Sequence, residues 1–410
     1  MARICIIRQH YFPLEPRLRR EVEALVAVGH QVDVVCLARP DEARNEQMGN
    51  ITVRRIPLQR RRGSPVRYLM EYGSFLVIAG LLVSVLSMRR RYDLVQANTI
   101  PDALVFAAFV PRLLGARVLL DLYECMPEFF ATKFQKHMGH PGVRLVAWLE
   151  QASIRFADYA ITCNEQMHET FVARGTPRDK LGIIMNSADR EVFDPQRYPT
   201  PPRTSDRFVL ICHGSIEERY GLDTAIRAVG LLRGEMPGLR LEIYGEGSDR
   251  ERLVQLTRDL HLEHAVSFSD GFVPMEDLLK AIAAADAGVV ATKRDLFRDL
   301  VHCLKMFDYI EMRKPVIVSR TPAVEAYFDE SCFQYFDSDN PMDLARAIRE
   351  LHANPELAKR RVQHATRVNE PYRWSRQAEF YREIVERVLT NKQGRMIVPA
   401  PVGMAAGHGS

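Results

Sequence analysis

Short apolar runs alternate along the chain with longer stretches in which apolar positions recur every three or four residues. The first run is Ile4–Ile7. The amphipathic stretch Arg17–Val28 follows it and ends at Gly29, and the next apolar run is Val32–Cys36. Short apolar runs predict buried strands, and the longer period predicts helices. Because the two alternate, the pattern predicts a parallel sheet with helices on both faces.

The alternation stops once and then restarts. Later strands of the first half are predicted at Leu94–Gln96, Arg117–Leu120, Tyr159–Thr162 and Gly182–Ile184. Residues 194–206 hold four prolines and few apolar positions, which predicts a linker. The second half then begins with a strand at Phe208–Cys212 and a helix at Leu222–Leu232. The predicted fold class is therefore α/β, with two similar doubly wound halves.

Length and cysteine content agree with this organisation. A chain of 410 residues is too long for one ordinary core, so two domains are expected. The seven cysteines are scattered singly with no CxxC pair, which indicates a reducing compartment, no disulfide framework and no structural zinc. The opening apolar run is interrupted by Arg8, so we expect a first strand rather than an export signal.

Positive charge is concentrated in one segment. Residues 51–91 contain nine arginines and one acid, Glu71, and so carry +8, which leaves −4 for the rest of a chain whose net charge is +4. Arginines at both ends of a short apolar stretch suit a helix lying on anionic lipid, and we assign Arg60, Arg61, Arg62 and Arg67 to that surface. For residues 75–86 themselves, a buried domain helix is the favoured interpretation. No nucleic-acid recognition motif is present, so no nucleic-acid partner is expected.

Candidate ligand-binding residues of the second half follow its predicted strands. On a helix predicted at Cys303–Glu311, Lys305 could meet a diphosphate and Asp308 could accept ribose hydroxyls, although spacing alone favours a surface ion pair. Gly214 and Ser215 open a loop in which Arg219 could clamp a phosphate or simply pair with a nearby glutamate. Gly245 lies in a GxG that is most often a tight turn.

Strand ends of the first half also carry polar side chains. Asp121 and Glu124 follow one predicted strand, and Asn98 and Asn164 follow two others. Ligands of doubly wound sheets bind at the carboxyl ends of the strands, so these groups could orient hydroxyls. Helix capping and loop bracing are equally good explanations from the pattern alone.

Several of these segments together resemble glycosyltransferase family 4, a group of retaining enzymes with the GT-B fold. The resemblance covers nearly the whole chain and includes Ile4–Pro13, Leu120–Glu124, Met126–Glu128, Arg219–Asp223 and Lys305–Tyr309. It implies two Rossmann-like domains facing across a cleft, with an acceptor-binding domain at 1–195 and a nucleotide-sugar-binding domain at 207–373. It also implies a helix at 374–391 that returns to the first domain. We expect residues 392–410 to form a disordered tail.

The resemblance also implies roles for particular residues. Arg219 matches a phosphate-binding cation of the family, and Lys305 matches the lysine that precedes the ribose-binding acid, here Asp308, in one subgroup. Arg219 and Lys305 are assigned as catalytic together with Asp121 and Glu124. The donor side comprises Gly214, Ser215, Arg219, Gly245, Val273, Lys305 and Asp308, and the acceptor side comprises Arg17, Asn98 and Asn164. No metal and no cofactor are implied. The donor is a nucleoside-diphosphate sugar, with UDP expected first and GDP next. The acceptor is lipid-linked or a polysaccharide precursor, and the location is the cytoplasmic face of a membrane.

Three departures from the family pattern leave two further hypotheses open. Leu300 stands where the first glutamate of a Glu-x7-Glu pair is usual, with Asp299 the nearest acid. The Gly-Gly loop of the first domain is replaced by Leu14-Glu15-Pro16-Arg17, and an arginine of the second domain by Ser215. The missing glutamate favours a non-catalytic GT-B subunit that binds a nucleotide sugar or a partner enzyme. A GT-B sugar-nucleotide epimerase is the third hypothesis.

Overall fold

The computed structural model describes residues 1–59, 65–202, 207–271 and 273–390. The chain forms two compact units. The first comprises Met1–Asn186 with the described residues from Ser375 onward, and the second comprises Ser187–Trp374. Arg60, Arg61 and Arg62, which we assigned to a membrane surface, and the predicted tail lie outside the described residues.

The first unit is built on a sheet with strand order β3-β4-β2-β1-β5-β6-β7-β8. Only the β3–β4 pair is antiparallel; the other pairs are parallel. The strands are β1 Arg3–Tyr11, β2 Gln31–Leu37, β3 Asn45–Met48, β4 Ile51–Ile56, β5 Leu94–Asn98, β6 Arg117–Leu122, β7 Tyr159–Thr162 and β8 Leu181–Ile183. The central strands are buried along almost their full length, as expected of a sheet covered on both faces.

Six helices connect these strands: α1 Pro16–Val26, α2 Pro65–Arg89, α3 Phe109–Leu113, α4 Met126–Lys133, α5 Pro141–Phe156 and α6 Glu165–Ala173. The longest is α2, with 25 residues. Phe75, Ala79 and Val83 on one stripe of α2 are fully buried, whereas Val77 and Leu81 on the opposite side are exposed. The expectation of a buried helix over 75–86 is therefore wrong for one of its two faces.

The second unit has a sheet of order β11-β10-β9-β12-β13-β14 in which every pair is parallel. Its strands are β9 Phe208–His213, β10 Leu239–Tyr244, β11 Val266–Phe268, β12 Ala287–Val290, β13 Val316–Ser319 and β14 Gln334–Phe336. Its helices are α7 Leu222–Leu232, α8 Arg250–Asp259, α9 Met275–Ala284, α10 Lys305–Glu311, α11 Pro322–Glu325, α12 Pro341–Ala353 and α13 Pro355–Val368. The predicted fold class, two doubly wound α/β domains, is confirmed.

The last described helix, α14 Trp374–Thr390, is tied to the first unit by buried side chains. Tyr381 donates a hydrogen bond to the Gln96 side chain on β5 at 2.7 Å, and the Met185 amide donates to the Gln377 side chain at 2.7 Å. Tyr381 is completely buried. These contacts explain why the chain from Ser375 onward belongs to the first unit.

Candidate active site

Glycines shape the carboxyl ends of β9 and β10 in the second unit. Gly214 follows β9 with φ +90°, and Gly245 follows β10 with φ +139°. A Cβ at Gly245 would lie 2.0 Å from the Gly214 carbonyl oxygen, and one at Gly247 would lie 2.0 Å from that of Ile216. Two loops therefore cross at backbone contact distance, which only glycine allows. The crossing lies at the edge of the sheet where doubly wound folds bind ligands.

Two cations lie close to one aromatic ring beside this crossing. The ammonium of Lys305, the first residue of α10, lies 4.1 Å from the centre of the Tyr220 ring, and the guanidinium of Arg219 lies 5.2 Å from it. A Cβ at Gly214 would meet the Lys305 side chain at 3.0 Å. Lys305 is thus brought close to Gly214 and Arg219, from which it is distant in the sequence; the roles assigned to the three residues stay predictions. Such a pair of cations suits a ligand with two phosphates.

Asp308 lies in the same part of the second unit and faces a histidine, His213, that the sequence analysis did not identify as a site residue. His213, the last residue of β9, is buried, and its Nε2 lies 3.6 Å from a carboxylate oxygen of Asp308. Burial, with the Lys305 charge as a second cause, lowers the pKa of His213 to about 3, so the ring is neutral near pH 7. Nε2 has no hydrogen-bond partner among the described residues. The β9 pattern gave no signal for this role, because a histidine at the end of an apolar run is most often a core residue.

The ring of Tyr309 fixes the position of His213. The two rings meet edge to face at 5.1 Å, and the Tyr309 hydroxyl donates to the Ile211 carbonyl at 3.0 Å. Tyr309 is completely buried and fits only because residue 288 on β12 is glycine, where a Cβ would lie 2.3 Å from the ring. The neighbour of Asp308 in sequence therefore holds the histidine that faces Asp308.

Ser215 and Val273 were also predicted to lie on the donor side. Ser215 is exposed in the loop after β9, and Val273 is half-buried two residues before α9. Asp299, the acid closest to the missing family glutamate, accepts three hydrogen bonds from Arg294 at 2.7 to 3.2 Å. Asp299 is therefore engaged by an arginine, and the roles of Ser215 and Val273 stay predictions.

In the first unit, Arg17 and Asp121 form one buried ion pair. Arg17 donates from Nε and Nη2 to the two carboxylate oxygens of Asp121 at 2.9 and 2.8 Å, and Asp121 is completely buried. Arg17 also donates to the Glu21 carboxylate at 3.1 Å and the Ile184 carbonyl at 2.8 Å. Burial lowers the pKa of Arg17, but the attraction of Asp121 and its other neighbours outweighs it and the pKa rises. Asp121 thus acts as the partner of Arg17, and its catalytic role stays a prediction.

The two predicted asparagines have local partners. Asn98 donates to the Glu21 carboxylate at 2.7 Å and to the Tyr123 hydroxyl at 2.9 Å. Asn164 is the N-cap of α6, where its side chain accepts from the Met167 amide at 2.9 Å. Both are buried and both stabilise structure directly. Glu124 is half-buried after β6, and its assignment stays a prediction.

The loop Leu14-Glu15-Pro16-Arg17, which stands in place of the family's Gly-Gly loop, is organised by charged side chains. Arg8 of β1 binds Glu15 through Nε at 2.8 Å, and its guanidinium lies 4.2 Å from the centre of the Tyr123 ring. The Arg17 guanidinium lies 5.0 Å from the same ring. Glu15 therefore has a fixed partner. An ion pair, rather than the backbone freedom of glycine, stabilises this loop. Sequence analysis missed Arg8 and Tyr123, because their pairing depends on distant strands.

Two family profiles together cover most of the chain. Residues 14–187 match "Glycosyl transferase 4-like domain", and residues 198–368 match "Glycosyl transferases group 1". The chain is a GT-B glycosyltransferase of the family 4 type. The resemblance found in the sequence is thereby confirmed.

The relatives of this glycosyltransferase are named for different activities. It is 26% identical over 373 residues to a glycogen synthase of Mycobacterium tuberculosis, covering 86% of this chain and 85% of that protein. It is 25% identical to a GDP-mannose-dependent phosphatidylinositol dimannoside mannosyltransferase of the same species, over 56% and 60% of the two chains. Its fold resembles that of sucrose-phosphate synthase from Thermosynechococcus elongatus, with TM-score 0.75, 19% identity and coverage of 96% and 100%. Anabaena HepE with UDP-glucose gives TM-score 0.68, 16% identity and coverage of 94% and 100%.

Two groups of side chains in the described part of the glycosyltransferase could hold a metal ion. One is Glu165, His168 and Glu169 in the first unit, and the other is Asp329, Cys332 and His364 in the second. Neither includes Lys305, Asp308 or His213. Metal-independent transfer remains a prediction.

Proposed function

We propose that this glycosyltransferase moves a sugar, with retention of anomeric configuration and without a metal, from a nucleoside-diphosphate sugar to a lipid-linked or polysaccharide-precursor acceptor. The observation that carries the proposal is the group formed by Lys305, Arg219, Asp308 and His213 at the crossed glycine loops. UDP is the expected nucleotide and GDP the next. No cofactor is required, because the donor supplies the activated sugar.

The charges of this group match the parts of such a donor. Lys305 and Arg219 face the same ring, so a diphosphate lying against Gly214 would meet both cations. When the bond between the sugar and the diphosphate breaks, negative charge grows on the leaving phosphate. Fixed cations and backbone amides stabilise that charge without reorganising, and they do so most in the transition state. Lys305 and Arg219 would therefore contribute mainly to turnover.

Asp308 and His213 would hold the rest of the donor. An ionised carboxylate accepts two hydrogen bonds, which suits the pair of ribose hydroxyls. His213 is neutral near pH 7 and presents an unsatisfied Nε2, so it adds a hydrogen bond without adding charge. A buried polar atom without a partner costs free energy that a ligand recovers on binding. The group is thus already prepared for a ligand with hydroxyls.

The relatives support the donor class. One curated relative is named as GDP-mannose-dependent, and structures of HepE hold UDP, UDP with glucose, or UDP-glucose. Another relative is named as a lipopolysaccharide core glycosyltransferase of Rhizobium meliloti. These names favour a nucleotide-sugar donor and an acceptor from envelope or polysaccharide synthesis. The arginine-flanked helix α2 favours a location at the cytoplasmic face of a membrane, with the chain as a peripheral membrane protein.

One observation favours a second candidate, a non-catalytic GT-B subunit. The usual glutamate is Leu300, and the neighbouring Asp299 is already bound by Arg294. The sugar would then lack one carboxylate contact. A subunit that binds nucleotide sugar without turnover would fit this change.

The test measures transfer of the sugar to an acceptor and the anomeric configuration of the product. The full chain is incubated with EDTA, radiolabelled UDP- and GDP-sugars and a membrane lipid extract, and the label in the lipid phase is counted. Proton spectra of the product then report the anomeric configuration. Lys305→Ala should lower transfer at least about a hundredfold, a typical loss for one transition-state contact. Donor binding without transfer would support the subunit, and an inverted product would contradict the proposed mechanism.

A further inference from the structure

Helix α2 exposes an apolar stripe to the surface of the first unit. Its outward side chains include Leu69, Met70, Val77, Ile78, Leu81, Val85 and Met88, all exposed. By length and composition alone, Arg67–Arg89 could cross a membrane. However, its opposite stripe is buried against the same unit at Phe75, Ala79, Val83 and Leu86. The helix is thus anchored along its length and leaves only one side available.

The apolar surface continues onto α3. That helix follows the 3₁₀ turn Asp102–Ala108, and a Cβ at Gly80 of α2 would lie 3.6 Å from Ala107 of this turn. Phe109 and Leu113 at the two ends of α3 are both exposed. Contiguous exposed apolar side chains on two packed helices are unusual on a soluble surface and indicate an interaction site.

Helix α5 extends the surface on the far side of α3. The Phe156 ring stacks on Phe109 at 6.5 Å and lies edge to face with Phe106 at 5.2 Å. Trp148 lies two helical turns before Phe156 on the same stripe of α5 and is 63% exposed. Leu145, one turn earlier, is exposed as well. We call the exposed apolar side chains of α2, α3 and α5 the apolar face.

Positive charge surrounds the apolar face. Arg89, Arg90 and Arg91 are exposed at the end of α2, and Arg67 is exposed at its start, where it pairs with Glu71 at 3.4 Å. Arg112 lies over the Phe156 ring at 4.9 Å and pairs with Asp158 at 3.5 Å. Lys133 of α4 lies over the Tyr68 ring at 4.1 Å. Within Arg67–Arg89 the only acid is Glu71. The partner of this face is therefore expected to be apolar in its interior and anionic at its surface.

We propose that the apolar face inserts into the interfacial layer of a bilayer that contains anionic phospholipid, with α2 lying in the plane of the membrane. The inference rests on the proposed function, because a lipid-linked acceptor must be met at a membrane surface. Aliphatic side chains ringed by arginines match acyl chains below phosphate headgroups. Most of the outward side chains carry no hydrogen-bonding group.

The insertion would reach the loop after β1. The side chain of Gln9 on β1 donates to the Glu71 carbonyl of α2 at 3.3 Å. The carboxyl end of β1 is the edge of the sheet where an acceptor is expected. Docking through α2 therefore holds the acceptor side of the first unit at the membrane surface.

Vesicle binding and an intrinsic fluorophore test the proposal. The chain has two tryptophans, so in Trp374→Phe only Trp148 reports. Flotation with vesicles of phosphatidylcholine and 30% phosphatidylglycerol, as a chosen composition, should retain the full chain, and Trp148 emission should shift to the blue. Brominated acyl chains should quench it. Vesicles of phosphatidylcholine alone should bind at least about tenfold less, because several arginines each favour an anionic surface.

Matched variants separate the apolar face from general hydrophobicity. Leu81→Asp with Leu113→Asp should weaken vesicle binding at least about tenfold, because charge at the interface opposes insertion. The control is Leu231→Asp with Met342→Asp, since these side chains are similarly exposed (57% and 73%, against 65% and 72%) but belong to the second unit. The control should bind vesicles as the wild type does. All of these variants should keep the donor-induced rise in melting temperature.

Three outcomes would overturn the proposal: no binding to anionic vesicles, no change at Trp148, or equal loss in both double variants. Self-association of the wild type that Leu81→Asp abolishes would assign the face to a second copy of the chain instead. In each case an unchanged donor response would leave the proposed function intact. If the wild type bound anionic vesicles but showed no donor-induced rise in melting temperature, only the proposed function would be contradicted.

Discussion

Arg17 and Asp121 are 104 residues apart in the sequence and form a two-bond ion pair with both side chains buried. Helix α1 and strand β6 are joined by this pair. Without the Asp121 charge, Arg17 keeps only the Glu21 carboxylate as a buried counter-charge among the described residues, and breaking a buried ion pair costs about 3 to 5 kcal/mol. We therefore predict that Asp121→Asn lowers the free energy of unfolding of the first unit by about that amount, measured by urea denaturation.

An exposed pair on the same helix is the control for this prediction. Arg19 and Glu23 are 4.0 Å apart and both are more than a third exposed. Glu23→Gln should change the free energy of unfolding by less than about 1 kcal/mol. If Asp121→Asn were equally mild, the pair would not brace the unit and a catalytic role for Asp121 would regain support.

The carboxylate of Asp308 is predicted to bind the donor. Asp308→Asn should weaken donor affinity by about 1.5 to 3 kcal/mol, since hydrogen bonds to charged groups contribute in this range. Isothermal titration with the preferred nucleotide sugar measures the change. Asp277→Asn, at an exposed acid on α9, should leave the affinity unaltered. Equal affinity of Asp308→Asn and the wild type would remove Asp308 from the site.

The glycine crossing predicts a steric effect at Gly245. An alanine there would place its Cβ 2.0 Å from the Gly214 carbonyl oxygen at a φ of +139°. The loops must separate, so Gly245→Ala should destabilise the second unit by more than about 1 kcal/mol and weaken donor binding. Gly234→Ala is the control, because its Cβ would meet nothing within 4 Å and its φ is not positive. Thermal unfolding with and without donor is measured for both variants. Identical unfolding curves for Gly245→Ala and Gly234→Ala would refute the crossing.

The neutral state of His213 predicts a dependence of stability on pH. Its pKa is about 3 in the folded chain because of burial and the Lys305 charge, against an unfolded value of 6.5. As pH falls below 6.5, the unfolded chain takes up a proton that the folded chain refuses, and stability is lost. Between pH 6.5 and 4.5 the loss should reach about 2 to 3 kcal/mol.

His213→Asn isolates this contribution. Its free energy of unfolding should fall less steeply than that of the wild type below pH 6.5, and the two slopes should agree above it. Urea denaturation at pH 7.5, 6.5, 5.5 and 4.5 supplies the comparison. Parallel curves over the whole range would mean that His213 is not held neutral.

Most of the parallel strands could be predicted from the sequence, because buried strands are continuous apolar runs. β3, β4 and β14 were missed: all four residues of β3 are exposed, Arg54 and Arg55 interrupt the apolar positions of β4, and β14 has only three residues. The outer stripe of α2 was misjudged for a different reason. A helix that is apolar on all sides does not reveal which side its neighbours cover.

The candidate site was only partly visible in the sequence. Lys305 and Asp308 share a helix, so their spacing could be interpreted, and the resemblance added Arg219. His213 and Tyr309 meet because Gly288 leaves space on a third strand, which no local pattern reveals. The Arg17–Asp121 pair likewise depends on the sheet. Asp121 at a strand end gave the same signal as a ligand-binding carboxylate would.

Donor binding by the full chain tests the central claim most directly. Thermal unfolding is measured with UDP-, GDP-, ADP- and dTDP-sugars, with and without EDTA, because a ligand that binds only the folded chain must raise the melting temperature. We predict a clear rise with a UDP- or GDP-sugar that persists in EDTA and is lost in Asp308→Ala. No rise with any of these nucleotide sugars would contradict the account.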